Sequence, residues 1–280
     1  MSRRNFLRAA FASAITALAA GSAYAQPAPL RMGIHPYNST LALIGTHRPL
    51  VQYVEKILSR PTEFVTAPDF DTYLANLLAG EYDLAIAPPH FAVLAIRQGY
   101  VPLYQYKSRL EPLLAVPLDS PLQAVADFRG KRIAMADRTA LIRLVTIRWF
   151  DQHGLVAGRD YQIVERPTHG AAVAATVQGE VDAGLTTNSG LAQIPADVRS
   201  KVRAIATGIR LPHLVTLAHR RLGEADITRL RAALAVLPAT PEGRDFFTRM
   251  PVQGYEEFTA ADQRLMRPYI DLLMQSRETP

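Results

Sequence analysis

The chain contains no cysteine, which excludes a disulfide framework, a thiol nucleophile and a thiolate metal site. Its stability must come from the core alone. It also lacks any run of Lys and Arg interleaved with aromatics, so nothing in it reads as a nucleic-acid surface. The seven histidines never stand three or four residues apart on a helix and no carboxylate cluster accompanies them, so no metal is expected. There is no Gly-X-Ser-X-Gly elbow, no Walker loop and no Gly-X-Gly-X-X-Gly after a strand. No cofactor is expected. The Ala-rich run AAFASAITALAAG near the N-terminus falls short of the roughly 20 apolar residues that span a bilayer core.

What is present begins with a leader. Ser2-Arg3-Arg4-Asn5-Phe6-Leu7-Arg8 precedes the Ala-rich run, and Ala23-Tyr24-Ala25 follows it as the small-X-small pattern that a signal peptidase reads. The opening resembles the twin-arginine signal, with Arg8 in place of the usual Lys. Residues 1–25 are therefore expected to be a signal peptide, implying a periplasmic protein that starts near Gln26; an N-terminal anchor is the alternative. Loss of Arg3, Arg4 and Arg8 lowers the formal charge from +6 to +3, a mild excess that suits an anion site or plain solubility. At 280 residues and 49% hydrophobic content, the chain has room for one large domain or two lobes.

Strand and helix signals alternate through the first part. LRMGIH, TEFVTA and YDLAIAP read as strands. PLVQYVEKIL reads as a helix with Pro49 near its start, and DFDTYLANLL as a helix that stops at Gly80. A second round follows Asp119-Ser120-Pro121, with a helix expected over 139–153 and a polar loop after VDAGLTT. The tail from Glu224 reads as helical. This alternation predicts α/β lobes with mostly parallel sheets covered by helices.

One phrase occurs twice. LAGEYDLAIAPP (Leu78 to Pro89) and VQGEVDAGLTTN (Val177 to Asn188) each carry Gly-Glu-X-Asp between a helix and a buried strand. The residues just past each strand, Pro88-Pro89-His90 and Thr186-Thr187-Asn188, fall at the carboxyl edge of a sheet, where open α/β sheets bind ligands. Two such lobes facing one another would enclose a cleft.

The blocks FVTAPDFDTYLANLLAGEYDLAIAPPHFAVLA, LLAVPLDSPLQAVADFRGKRIAMAD and PTHGAAVAATVQGEVDAG resemble the phosphate/phosphite/phosphonate-type (PhnD-like) solute-binding proteins of ABC importers. The resemblance spans roughly Leu30 to Arg220. It implies a type II periplasmic-binding-protein fold, with two α/β lobes and a ligand cleft between them. Lobe 1 is expected over 30–111, lobe 2 over 112–211, and 212–280 as a return to lobe 1 with C-terminal helices. It also implies capture of a small ligand, an oxyanion such as phosphonate, phosphite or phosphate, for an inner-membrane ABC permease. A protein that presents ligand to a membrane sensor kinase is the alternative, and an exported hydrolase a second one. The protein is expected to be a monomer, not an enzyme, and to bind no nucleic acid.

The family's Ser-Thr-Ser-Gly motif is absent; Asp137 is followed by Arg138-Thr139-Ala140. Arg138 could supply a bidentate anion contact, or with Thr139 be solvated surface. His169, in the Thr-His-Gly-Ala-Ala block, is expected to donate to the ligand. Thr168 fits either that role or a plain helix cap. Tyr37 and His90 are cleft candidates by position. Phe70 is another, standing where many members have Tyr, as does Phe91. Thr187 and Asn188 end the repeated strand and either bind ligand or cap the next helix. Arg143 reads as a surface charge.

Overall fold

A computed structural model describes residues 28–278; the leader and its cleavage point lie outside them. The chain first lays down β1 (Leu30–Ile34), α1 (Thr40–Leu58), β2 (Thr62–Val65), α2 (Phe70–Leu78), β3 (Leu84–Ala87), α3 (Pro89–Ile96) and β4 (Tyr100–Tyr106). It then crosses into β5 (Pro112–Pro117), β6 (Arg132–Met135), α4 (Leu141–Gln152), β7 (Gln162–Glu165), α5 (His169–Val177), β8 (Ala183–Thr187), two short helices α6 (Asn188–Ala192) and α7 (Ala196–Arg199), and β9 (Val202–Ala206). It returns through β10 (Val215–His219) and ends in α8 (Glu224–Val236), α9 (Pro241–Arg249), β11 (Tyr255–Glu256), α10 (Ala260–Leu265) and α11 (Arg267–Glu278).

Two sheets result, with orders β11-β4-β10-β3-β1-β2 and β7-β6-β8-β5-β9. Each contains a parallel trio, β2-β1-β3 in one and β7-β6-β8 in the other. Each trio is flanked by an antiparallel strand that arrives from the other half of the molecule: β10 pairs with β3, and β5 with β8. The two crossings thus insert next to the two strands that follow Gly-Glu-X-Asp.

The repeated phrase performs the same task in both places. Gly80 and Gly179 take φ of +74° and +75°, a left-handed turn that glycine adopts without a Cβ penalty and that stops a helix. Asp83 Oδ2 then accepts from Arg31 N, and Asp182 Oδ2 from Arg132 N, each at 2.8 Å. The same aspartates return a backbone bond, Asp83 N to Arg31 O and Asp182 N to Arg132 O, each at 2.9 Å. Each Asp therefore clamps the start of the post-turn strand to the central strand of its trio, fixing register without a side chain in the core.

The sheets are mixed rather than mostly parallel, because the strands that cross between the halves and those beyond them pair antiparallel, and three elements also differ from the sequence reading. The first helix starts at Thr40, and Pro49 lies inside it. Ser39 caps it by accepting from Ala42 N at 3.3 Å, and the carbonyl that Pro49 leaves without its helical donor, Gly45 O, accepts from Arg249 Nη1 at 3.4 Å. The helix expected over 139–153 begins at Leu141 instead, because Asp137 holds the Thr139 N–H (2.8 Å) and hydroxyl (2.6 Å) in a turn. The expected polar loop after β8 contains α6, with Thr187 accepting from Gly190 N at 2.8 Å as its cap.

The first sheet is covered on both faces. Met32, Ile34, Leu84 and Ile86 pack against Leu50 and Val54 of α1, Leu230 of α8 and Phe246 of α9. Ala85 and Ala87 pack against Tyr73, Leu77 and Phe91. In the second sheet Ile133, Met135 and Leu185 meet Val145 and Phe150 of α4, and Ala134 meets Ala172 and Ala175 of α5. The C-terminal segment lies across both halves: Met266 is buried with the α4 cluster and Leu273 with Tyr73 and Phe91. No described helix is long and apolar enough to cross a membrane.

Candidate functional site

Between the two sheets the halves close on a cavity with about 40 Å³ open to the centre of a water-sized sphere; one water needs on the order of 10–15 Å³. The space fits a few waters or one small molecule. Helix starts supply about half of its wall: Phe70 opens α2, Pro88 caps α3, Leu141 and Ile142 open α4, His169 opens α5, and Thr187, Ser189 and Gly190 form the cap and first turn of α6. The first turn of a helix carries free N–H groups and the positive end of the helix dipole. Four of these helices have eight residues or more, and they come from both lobes. Among the described residues neither Lys nor Arg nor Asp nor Glu lines the cavity.

The polar side chains fall into two groups. One centres on His35, just past β1, and His169. Phe70 lies between them, 4.3 Å from the His35 ring and 5.8 Å from the His169 ring, edge-on to both. Both His35 nitrogens and His169 Nδ1 are buried without a hydrogen-bond partner. Burial pushes His35 well below its ordinary value, with the nearby His169 and His90 rings adding to this. Burial also lowers His169 to about 4. Both rings are neutral at pH 7.

The second group is Tyr37, Gln193, Ser189 and His213. Tyr37 donates to Gln193 Oε1 at 3.2 Å. Ser189 Oγ lies 3.1 Å from His213 Nε2. The Leu214 N–H donates to His213 Nδ1 at 2.8 Å, so Nδ1 carries the lone pair and Nε2 the proton. His213 therefore donates to Ser189 and cannot take its proton. Burial holds this histidine down to about 3. The pair resembles a nucleophile and base in spacing only; the tautomer is the wrong one for general-base activation.

The nine residues singled out from the sequence separate. Tyr37, Phe70, His169 and Thr187 line the cavity. Thr168 is the cap of α5, accepting from Ala171 N at 3.1 Å. Asn188 sits at the crossing, where Oδ1 accepts from Glu111 N at 3.2 Å and Nδ2 donates to Arg109 O at 3.0 Å. Thr139 spends its hydroxyl on Asp137, while its carbonyl lies 3.0 Å from His90 Nε2. That bond joins α3 of one lobe to the α4 approach of the other. Arg138 does not line the cavity; its side chain is 40% exposed and stands 3.9 Å from Asp71. Thr168, Thr139, His90 and Asn188 thus hold the frame around the cavity, and Arg138 lies at its rim.

Sequence reasoning missed His35, Ser189, Gln193, His213, Leu141, Ile142 and Met250. His35 carried a usable signal, since it ends a strand at the carboxyl edge of a parallel trio. Ser189 and Gln193 are concealed by the polar, Gly-containing composition of the segment after β8, which carries no helical periodicity. His213 and Met250 come from the return crossing and the tail, far away in sequence.

Several contacts cross the cleft. Besides the Tyr37–Gln193 and His90–Thr139 bonds, Phe70 reaches over to pack on Ala136 and Ala140. Asn38 faces Gly170 so closely that a Cβ there would stand 2.9 Å from Asn38 Oδ1.

The sequence model of one family, described as ABC transporter, phosphonate, periplasmic substrate-binding protein, matches residues 32–263. Solved structures share the fold. PhnD1 of Prochlorococcus marinus in complex with methylphosphonate superposes with a TM-score of 0.76 at 13% identity, covering 88% of this chain and 98% of that one. A binding-protein component of an ABC phosphonate transporter from Pseudomonas aeruginosa gives 0.75 at 13% identity, covering 89% and 88%. A Xanthomonas citri protein bound to chloride ion gives 0.70 at 17% identity, covering 90% and 99%.

Proposed function

The chain belongs to the family of periplasmic substrate-binding proteins of phosphonate ABC transporters, and from that premise we propose that it captures a small oxyanion with a compact apolar substituent and delivers it to an ABC permease. One observation carries the reading of the ligand: helix first turns from both lobes converge on a cavity that, among the described residues, no carboxylate lines. Helix N-termini favour negative charge there, and neutral donors supply the hydrogen bonds. Leu110, Leu214 and Met250 give the same cavity an apolar side for a substituent.

Capture proceeds by closure. The ligand docks on one lobe, and the Tyr37–Gln193 and His90–Thr139 contacts form as the other lobe arrives. Closure is favoured only by what the ligand gains in the closed state. Among the nine residues first singled out, Tyr37, Phe70, His169 and Thr187 are assigned to ligand contact, Thr139, Thr168, His90 and Asn188 to positioning, and Arg138 to the rim. The leader over 1–25 is assigned to export, with the mature chain acting in the periplasm as a monomer.

A thermal-shift screen of the mature protein tests this. The panel is phosphate, phosphite, methylphosphonate, aminoethylphosphonate, sulfate, methanesulfonate and small carboxylates. A ligand at about a thousand times its Kd adds about 4 kcal/mol. For a chain of this size that raises Tm by roughly 8–16 °C. A rise of that order with a phosphorus or sulfur oxyanion is the expected result. A flat response to all oxyanions, with a rise for a neutral or cationic solute, would contradict the reading.

A further inference from the structure

The hydrogen-bond demand of His35 says more about the ligand than its charge sign. His35 is 3% exposed and lines the cavity, and neither ring nitrogen has a partner. A neutral imidazole has one N–H and one lone pair. A ligand that only accepts satisfies the first and leaves the second buried and unpaired, an arrangement that folded proteins avoid. The ring cannot simply become a cation to escape this. The titratable groups around it are Tyr37 beyond its own strand, Tyr73 from α2, His90 from α3 and His169 from α5. Among the groups that act on it there is no carboxylate to stabilise an imidazolium.

Charge points the same way. Bringing an ion out of water has a penalty that grows with the square of its charge, and among the described residues the cavity offers dipoles but no Lys or Arg to offset a second negative charge. His169 repeats the pattern, with Nδ1 buried and unpartnered. Ser189 is supplied with a donor by His213, which leaves its own hydroxyl hydrogen free to be given to an oxyanion or to Thr187 Oγ1, 3.3 Å away.

We propose that the site takes its ligand as the singly charged, monoprotonated oxyacid, with one O–H that donates to a neutral histidine and the remaining oxygens accepting from the cavity's donors. A hydrogen phosphonate or hydrogen phosphite fits; the fully ionised dianion does not. This rests on the oxyanion reading above and deepens it.

The test is calorimetric titration of the wild-type protein with methylphosphonate at about pH 8.5, where the free ligand is largely dianionic, in Tris and in bicine, which differ in ionisation enthalpy. The expected result is uptake of about one proton per ligand bound, with affinity falling about tenfold per pH unit above the ligand's second ionisation. The phosphorus NMR shift of bound methylphosphonate then locates the proton. The shift of the monoanion is expected. Binding with no proton uptake, or a bound shift matching the dianion, would overturn the proposal while leaving the oxyanion reading standing. If methanesulfonate, which carries one charge and no proton, binds while methylphosphonate stays silent at every pH, this proposal again falls and the oxyanion reading survives. If no oxyanion binds at any pH, both fall.

Discussion

The two lobes use one latch to hold two different interiors. Gly80-Glu81-Tyr82-Asp83 and Gly179-Glu180-Val181-Asp182 stop a helix, turn the chain and clamp the next strand with identical backbone bonds. Between the clamps the lobes diverge. Tyr82 is fully buried, stacks on Tyr73 with ring centroids 5.3 Å apart, and lies directly over Gly33. Val181 fills a small alanine cluster instead, and Gly184 lets β8 touch the backbone of α5. The cleft faces diverge too. The first lobe offers rings (His35, Tyr37 and Phe70), while the second offers hydroxyls and His169. The latch is a matter of backbone geometry and leaves side chains free to vary, so one frame can present aromatic walls on one side of a ligand and hydrogen-bonding groups on the other.

The largest effect is expected where the second lobe's tight packing is broken. A Cβ on Gly184 would stand 2.4 Å from Ala172 O, a backbone atom that has nowhere to go. Gly184→Ala should destabilise by about 4 kcal/mol or more, read as loss of soluble folded protein or a collapse of the urea midpoint. Gly33→Ala meets the Tyr82 ring at 2.5 Å. Pairing it with Tyr82→Leu should recover part of the loss, whereas no side-chain change near Gly184 should rescue that position.

Removing the latches comes next. Asp83→Ala and Asp182→Ala each leave an N–H without its carboxylate, an interaction worth about 1.5–3 kcal/mol. Asp83 also pairs with Arg221 at 2.7 Å, so its variant should be the worse of the two by a few tenths to 1 kcal/mol. Equal losses in chemical denaturation would show that the pair with Arg221 contributes nothing.

Acid should act through the buried rings of both lobes and the crossing. His47, His90 and His169 are held near 4, His213 near 3 and His35 well below its ordinary value, all chiefly by burial. Their folded-state values lie below the unfolded value of about 6.5, so the unfolded chain binds protons first. Stability is complete above about pH 6.5 and is lost as pH falls from there toward 4, by up to about 1.4 kcal/mol per pH unit for each such histidine. Thermal melts between pH 7.5 and 5 should show a steep fall in Tm; a flat profile would mean that these rings are not neutral and buried.

The smallest effects belong to the rim. Arg138→Ala should change stability by less than about 0.5 kcal/mol, as expected for an exposed pair, and shift ligand affinity less than Ser189→Ala does. Ser189→Ala removes a donor from the cavity and should weaken binding by roughly tenfold, or about 1.4 kcal/mol; it also leaves the buried His213 N–H without its acceptor, so the free protein should lose about 1–3 kcal/mol of stability. The reverse order in titration calorimetry would place the anion at the rim.

Much of the frame was legible because it is written locally. Helix stops, apolar strands and the double Gly-Glu-X-Asp announce themselves within a dozen residues, and they fixed the α/β alternation. The lining of the candidate cavity was legible where it follows directly from those elements: Tyr37, Phe70, His169 and Thr187 stand next to a strand end or a helix start. It was illegible where a residue's role is decided from a distance. Arg138 stands beside Asp71 outside the cavity, His90 turns to the Thr139 carbonyl, and Met250 arrives from the tail. No spacing in the sequence encodes those choices.

An oxyanion is proposed to bind between the lobes, on helix first turns and neutral rings. A crystal structure of the protein grown with methylphosphonate tests it most directly. The phosphorus is expected among His35, His169 and Ser189, with both lobes in contact. Density for the ligand instead in the outer groove beside Arg97, Arg264 and Arg267, with the cleft empty at saturating ligand, would contradict it.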